Sequence, residues 1–266
     1  MITTEQWARH LNLRGVRTVD LREDLTTSPS RQFATRDPEA IEGLVIHHAA
    51  GEVDGEAGVE AMARYHSGPN HISPRGCPGL CYTAAIGRDG TVYLANDLDR
   101  ATWSQGDRSR PGDENGPFLG VVVLGNFAGP HNPGATGEPT LAQIDAVIRV
   151  YLATGDALGW KPDEARLFGH FDFSKPACPG ATLQAVILAH RANARGSSTK
   201  HDLDIVAGRQ AALAELGLDP GPIDGAWGPR SRAALVEFQR AEDLVADGVF
   251  GPLTRAAMAR ALGGES

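Results

Sequence analysis

Lysine and cysteine are scarce in this chain. Its 266 residues contain three of each: Lys161, Lys175 and Lys200, and Cys77, Cys81 and Cys178. Three thiols are too few for a disulfide scaffold, and their odd number leaves at least one that needs a burial site or a chemical task. Positive charge is short as well. With 25 basic against 33 acidic side chains, the formal net charge is −8. That balance excludes the basic stripe of a nucleic-acid binder and argues against docking by charge alone to anionic membranes or wall polymers. No run approaches the roughly 18 apolar residues of a membrane-spanning helix, so no membrane insertion is expected. The opening MITTEQWARHLNLRG lacks a basic segment followed by an apolar one, so no signal peptide is read there, and the protein is expected to stay in the cytoplasm unless released.

What is present belongs to a soluble globular protein: 41% hydrophobic and 22% charged residues, enough apolar surface to offset ordering entropy. The 32 glycines and 17 prolines imply many tight turns. Residues 3–11 read as a helix capped by Thr3 or Thr4, with Trp7 and Leu11 on one face. Residues 43–48 form a short apolar run ending in His47 and His48, the pattern of a buried strand. A helix is expected over 59–66 and a Gly/Pro-rich loop over 67–80. Tyr82 to Ile86, the turn Arg88-Asp89-Gly90, and Thr91 to Leu94 make a β-hairpin. After a loop at 99–117 comes the most apolar strand, 119–124. Thr140 and Gln143 fit a capping box opening a helix to about Leu158. A brief strand near 167–170 and a helix over 182–194 follow. Strands interspersed with helices predict an α/β domain.

Residues 195–203 begin with small polar residues suited to a linker. Beyond them, Asp224-Gly225-Ala226-Trp227-Gly228-Pro229-Arg230-Ser231 matches Asp247-Gly248-Val249-Phe250-Gly251-Pro252-Leu253-Thr254. Each copy is a turn with Pro at a helix start. With a helix near 204–216, the pattern predicts an all-α three-helix module over 204–266. The first region, the α/β domain, is then 1–194, with its core at about 40–190. Trp227 and Phe250 occupy equivalent repeat positions, which favours a structural role for both.

The chemistry concentrates in His170-Phe171-Asp172-Phe173-Ser174-Lys175-Pro176-Ala177-Cys178-Pro179-Gly180, with His47 far upstream. Imidazole nitrogens and a thiolate are good zinc ligands, and three protein ligands with one open position make a catalytic site. Spacing alone fits equally well a packed histidine and a buried thiol.

The segments LVIHHAAG (44–51), CYTAAIGRDGTVY (81–93) and GHFDFSKPACPG (169–180) resemble, in order, the type 2 N-acetylmuramoyl-L-alanine amidases, a family that includes phage lysis amidases and the peptidoglycan recognition proteins. The C-terminal repeats resemble the common peptidoglycan-binding module. The resemblance implies a mixed central β-sheet flanked by helices and a Zn2+ cofactor held by His47, His170 and Cys178. It implies a catalytic Tyr82 and a partner in bacterial peptidoglycan, both glycan strand and stem peptide. The implied activity is hydrolysis of the amide between N-acetylmuramic acid and L-alanine. The setting that fits a chain read without an export signal is a phage endolysin held in the host cytoplasm until lysis, with export by another route as the alternative.

Two departures stand out. Where many members carry Lys or Thr two residues before the cysteine ligand, this chain has Pro176, with Lys175 one position earlier; Lys175 is the candidate catalytic cation or a solvated charge. The strand 120–124 lacks the Glu that some relatives use. His48, next to a ligand, should point to the opposite face by strand alternation and support the structure or a ligand from behind. Asp172 either orients His170, caps the loop or sits in a turn. Trp103, where relatives often have histidine, either stacks on a sugar or anchors a small core. His66, His71, Cys77 and Cys81 match no usual zinc spacing, and Cys77 and Cys81 form a disulfide only if an oxidising environment and geometry permit. Two rival functions remain: a non-catalytic peptidoglycan receptor, which Cys178 opposes, and a zinc peptidase of stem peptides, which the His47/Tyr82/Cys178 pattern fits poorly.

Overall fold

The computed structural model describes residues 2–70, 73–105, 115–128, 137–161, 164–173, 175–196, 201, 203, 205–223 and 225–262. The chain divides into two compact units, Met1–Arg191 and Ala192–Ser266. Residues 197–200 and 202 of the expected linker, His71 and Asp224 lie outside the described residues.

The first unit is built on a mixed sheet. Its elements are helix α1 (Thr4–Leu13), strands β1 (Thr18–Asp20), β2 (Ala34–Thr35) and β3 (Gly43–His48), and α2 (Gly55–Ser67). Strands β4 (Ala84–Ile86), β5 (Val92–Leu94), β6 (Arg100–Ala101) and β7 (Phe118–Val123) follow, then α3 (Leu141–Leu158), β8 (Leu167–Gly169) and α4 (Ala181–Gly196). The main sheet has the order β1-β5-β4-β7-β3-β8, with β2 and β6 pairing separately. β3 lies parallel to β7 on one side and to β8 on the other, and all six of its residues are buried. Burial on both faces is why it reads as a continuous apolar run rather than an alternation.

Alternation nonetheless decides where each side chain goes. Leu44 and Ile46 join Leu119, Val121 and Val123 in a core that also contains Trp7 and Leu11 of α1 and Val147 and Val150 of α3. On the opposite face Val122 and Leu124 pack with Val59, Met62 and Ala63 of α2. His47 pairs in register with Val122, so it belongs to the α2 face. Helix starts follow local chemistry: Thr3 with Gln6, and Thr140 with Gln143, form capping boxes. Trp7 Nε1 donates to Thr154 Oγ1 at 3.0 Å, satisfying its polar edge inside the core.

The structure differs from the sequence reading in several places. α2 starts earlier than expected, and α4 ends two residues later. The strand expected from Tyr82 begins at Ala84, because the Thr83 carbonyl accepts both Ala95 N–H and Asn96 N–H and disrupts the regular ladder. Strands β1, β2 and β6 were not anticipated. Arg36 Nε donates to the Leu98 carbonyl at 2.7 Å and Nη1 to the Phe118 carbonyl at 2.7 Å, tying the polar 22–40 stretch to two other segments.

The second unit contains α5 (Val206–Glu215), α6 (Pro229–Ala241) and α7 (Pro252–Ala261), the latter two opened by proline at the first turn as expected. Its core holds Leu213, Leu235, Phe238 and Met258, with Trp227 and Phe250 half-buried against it. Each repeat copy is clamped by a buried glutamine. Gln210 accepts from Gly225 N–H at 2.9 Å and donates to the Ala226 carbonyl and Ser231 Oγ. Gln239 accepts from Gly248 N–H at 2.8 Å and donates to Asp247 Oδ1, the Val249 carbonyl and Thr254 Oγ1.

Candidate metal centre

Parallel pairing of β3 with β8 aligns Ile46 with Gly169, so the next residues, His47 and His170, emerge side by side at the strands' C-terminal ends. Their rings lie 4.5 Å apart between centroids, with the two Nδ1 atoms 3.1 Å apart. The loop after His170 then returns. Lys175 N–H donates to the His170 carbonyl, Cys178 N–H to the Lys175 carbonyl at 2.9 Å, and Phe171 N–H to the Cys178 carbonyl at 3.0 Å. This folds Cys178 back beside the imidazoles, where its sulfur accepts the main-chain N–H of His48. One ligand atom from each of His47, His170 and Cys178 lies within 4.8 Å of the others, the one such set of three among the described residues.

These residues fit a zinc ion. A tetrahedron with metal–nitrogen bonds of about 2.0–2.1 Å has an edge of roughly 3.3–3.4 Å, close to the separation of the two Nδ1 atoms. His47 is 1% exposed and its Nε2 has no hydrogen-bond partner, so the ring's one polar engagement is toward the cluster. Burial, then the neighbouring His170 and His48, hold its pKa well below the ordinary value, which keeps it in the neutral, ligating form. Burial pushes the Cys178 thiol up to about 12, although the His48 amide and the Lys175 charge pull the other way. Without a cation the thiol stays protonated; a bound divalent ion removes that proton.

Tyr82 joins the cluster from the segment just before β4. Its ring is 5.1 Å from that of His47, and burial pushes its phenol well above the ordinary range, so it stays a hydrogen-bond donor. Asn96 Nδ2 fixes its main chain by donating to the carbonyls of Tyr82 (2.7 Å) and Leu80 (2.9 Å). Lys175 is exposed on the turn of the cysteine loop, and its charge acts on the Cys178 sulfur.

The neighbours divide clearly. His48 faces away from His47: its Nδ1 accepts Phe127 N–H at 2.9 Å, while its own N–H serves Cys178. Asp172 closes the turn after β8 by accepting Gly169 N–H at 2.9 Å, the capping role among its alternatives. Trp103 packs edge-on to Phe33 with Arg31 over its face at 4.8 Å, the anchor arrangement. His66 Nδ1 accepts Cys81 N–H at 3.2 Å, and no three-donor metal group includes it among the described residues.

Two supporting residues escaped the sequence reading. Arg191 of α4 donates to both Asp172 oxygens and to the Leu167 carbonyl, bracing β8 and the turn that carries His170. Gly180 has φ +102°, and a Cβ there would lie 2.4 Å from the Phe127 carbonyl, so only glycine lets the cysteine loop close against that segment. Its adjacency to Cys178 was the available signal; for Arg191 there was none, since a helical arginine reads as a solvated charge.

The model of the N-acetylmuramoyl-L-alanine amidase family matches residues 37–181, and that of a peptidoglycan binding domain matches residues 206–258. The chain belongs to the N-acetylmuramoyl-L-alanine amidase family and carries a peptidoglycan-binding module. Among solved structures, peptidoglycan recognition protein LE, in complex with tracheal cytotoxin, is 21% identical at a TM-score of 0.50, covering 65% of this chain and 92% of that one. The ectodomain complex of recognition proteins LCa and LCx with the same ligand matches at 20% identity and a TM-score of 0.50, covering 65% and 95%. The endolysin amidase LysCS from Clostridium intestinale matches at 18% identity and a TM-score of 0.45, covering 65% and 94%. No curated protein matches the sequence.

Proposed function

We propose that the chain is a zinc-dependent amidase that cuts peptidoglycan between N-acetylmuramic acid and L-alanine, with the C-terminal module holding it to the wall. The observation that carries this reading is the convergence of His47, His170 and Cys178 donor atoms within 4.8 Å beside the Tyr82 ring. When bound, the ion supplies Lewis acidity toward the scissile carbonyl and a water-derived nucleophile near neutral pH. His47 and His170 act as neutral donors and Cys178 as the anionic one. Tyr82, held protonated, donates to the oxygen on which negative charge develops. Lys175 on the loop rim is assigned to proton exchange with the departing amine. A phage endolysin, retained in the host cytoplasm until the membrane is breached, is the proposed setting.

A receptor that binds wall without cutting it is the competing reading, since the fold is shared with recognition proteins. Placement of the Cys178 thiol against both imidazoles favours the enzyme. Digestion of purified wall with and without chelator separates the two. The amidase yields free L-alanine amino termini on intact glycan strands, only in the unchelated sample. New ends inside the stem peptide, or no new ends, refute it.

A further inference from the structure

Tyr82 stands just before β4 (Ala84–Ile86), outside the sheet ladder, so other side chains must hold it. Asn96 takes the carbonyls of Leu80 and Tyr82, at 2.9 and 2.7 Å. The other half of the Leu80–Cys81 peptide, the Cys81 N–H, donates to His66 Nδ1 at 3.2 Å. The imidazole of His66 also lies against the phenol ring, with centroids 5.9 Å apart and planes inclined by 52°. Tyr82 thus neighbours two imidazoles, His47 of the metal cluster and His66 outside it.

His66 is itself held. It sits on the last turn of α2, 6% exposed, and its carbonyl accepts Cys77 N–H at 2.7 Å and Asn70 Nδ2 at 2.8 Å. Its carbonyl and its ring therefore close both ends of the turn from Cys77 to Cys81, whose two cysteines are buried free thiols. Upstream, Gly76 has φ +75°, and a Cβ there would come 2.1 Å from the Ser67 carbonyl, so the turn is pressed against the end of α2. An amide donor needs an unprotonated acceptor nitrogen, so the ring is neutral with its proton on Nε2. A histidine kept for packing alone needs no such contact between ring and amide, and His66 belongs to no three-donor metal group among the described residues.

We propose that His66 is a positioning residue for Tyr82. Its Nδ1 fixes the peptide that leads into Tyr82, and its ring limits the swing of the phenol, which keeps its place beside His47. The inference rests on the reading of Tyr82 as a hydrogen-bond donor in the amidase reaction. Removing the acceptor strands the buried Cys81 amide, and the segment shifts to satisfy it. A displacement of about 1 Å at a group that acts in the transition state costs rate rather than affinity.

The test compares full-length, zinc-loaded His66→Phe and His66→Asn with the unsubstituted protein on a soluble muropeptide. Phenylalanine keeps a flat ring without an acceptor, whereas asparagine places Oδ1 as many bonds from Cα as Nδ1. His66→Phe is expected to lower kcat roughly 10–100-fold, with KM within about twofold and zinc content unchanged. His66→Asn should restore most of the loss. Added to Tyr82→Phe, the His66→Phe substitution should cost nothing further, because both act through one hydroxyl. A raised KM, loss of zinc, no rescue by asparagine or a further fall in the double variant would overturn the proposal. Tyr82→Phe alone separates the two layers: full turnover strikes the reading of Tyr82, whereas its loss with His66→Phe at the parent rate strikes only the role of His66. If a variant fails to fold, long-range nitrogen–proton correlation spectra of the unsubstituted protein still decide. They should show the Nε2–H tautomer of His66, and a proton on Nδ1 would overturn the assignment.

Discussion

The two buried glutamines of the module and the buried His47 of the amidase unit treat their polar atoms in opposite ways. In the module, Gln210 and Gln239 sit inside the core with their amides engaged by the turns they clamp. In the amidase unit, His47 is as deeply buried, yet its Nε2 has no hydrogen-bond partner and its Nδ1 meets only another imidazole. A satisfied buried amide specifies shape, whereas two imidazole nitrogens turned toward each other beside a thiol make a donor set suited to a cation. On the proposed reading the glutamines stabilise and the histidines bind the ion.

Exchanging the two kinds of residue should have opposite consequences. Cys178→Ser is expected to lower amidase turnover by roughly three orders of magnitude, since the ion's Lewis acidity is lost, while near-ultraviolet circular dichroism stays native. Unfolding of that variant at room temperature would show that the cluster is structural. Gln239→Ala should do the reverse. It strands the Gly248 amide and the Val249 carbonyl, at a cost of about 3 kcal/mol, and calorimetry should show the module melting earlier with turnover on a soluble muropeptide unchanged.

Removing residues 202–266 should leave that soluble turnover intact and reduce cleavage of whole walls by about one to two orders of magnitude, through lost avidity. Equal cleavage of walls by both forms would contradict a tethering role. The smallest effect concerns acid. Arg22 pairs with Asp20 and Glu5, and both carboxyls titrate below their ordinary values of 3.8 and 4.5, Asp20 chiefly through that pairing and Glu5 chiefly through its own backbone amide, then Arg22. A lowered folded value means this stabilisation is complete above those ordinary values and is lost as pH falls through the folded ones. Arg22→Ala should flatten the melting-temperature decline below about pH 4, and an unchanged slope would remove these pairs from the account.

Much of this was legible beforehand because the relevant signals are local. Apolar runs located β3 and β7, a threonine cap located α1, a capping box located α3, and strand alternation turned His48 away from His47. The motifs that bring His47, Tyr82, His170 and Cys178 together are each short and contiguous, so each could be read separately. Strands β2 and β6 escaped because a strand of two residues carries no period. The clamps of Gln210 and Gln239, and the brace from Arg191 to Asp172, join segments far apart in sequence, and a lone polar residue in a helix does not reveal whether it is buried.

Metal stoichiometry tests the central claim most directly. Zinc measured by elemental analysis in the purified, dialysed protein should equal one per chain, fall to near zero in His47→Ala and Cys178→Ser, and remain at one in Gln239→Ala. Retention of zinc by His47→Ala and Cys178→Ser, or its absence from the unsubstituted protein after zinc is supplied, would contradict the account.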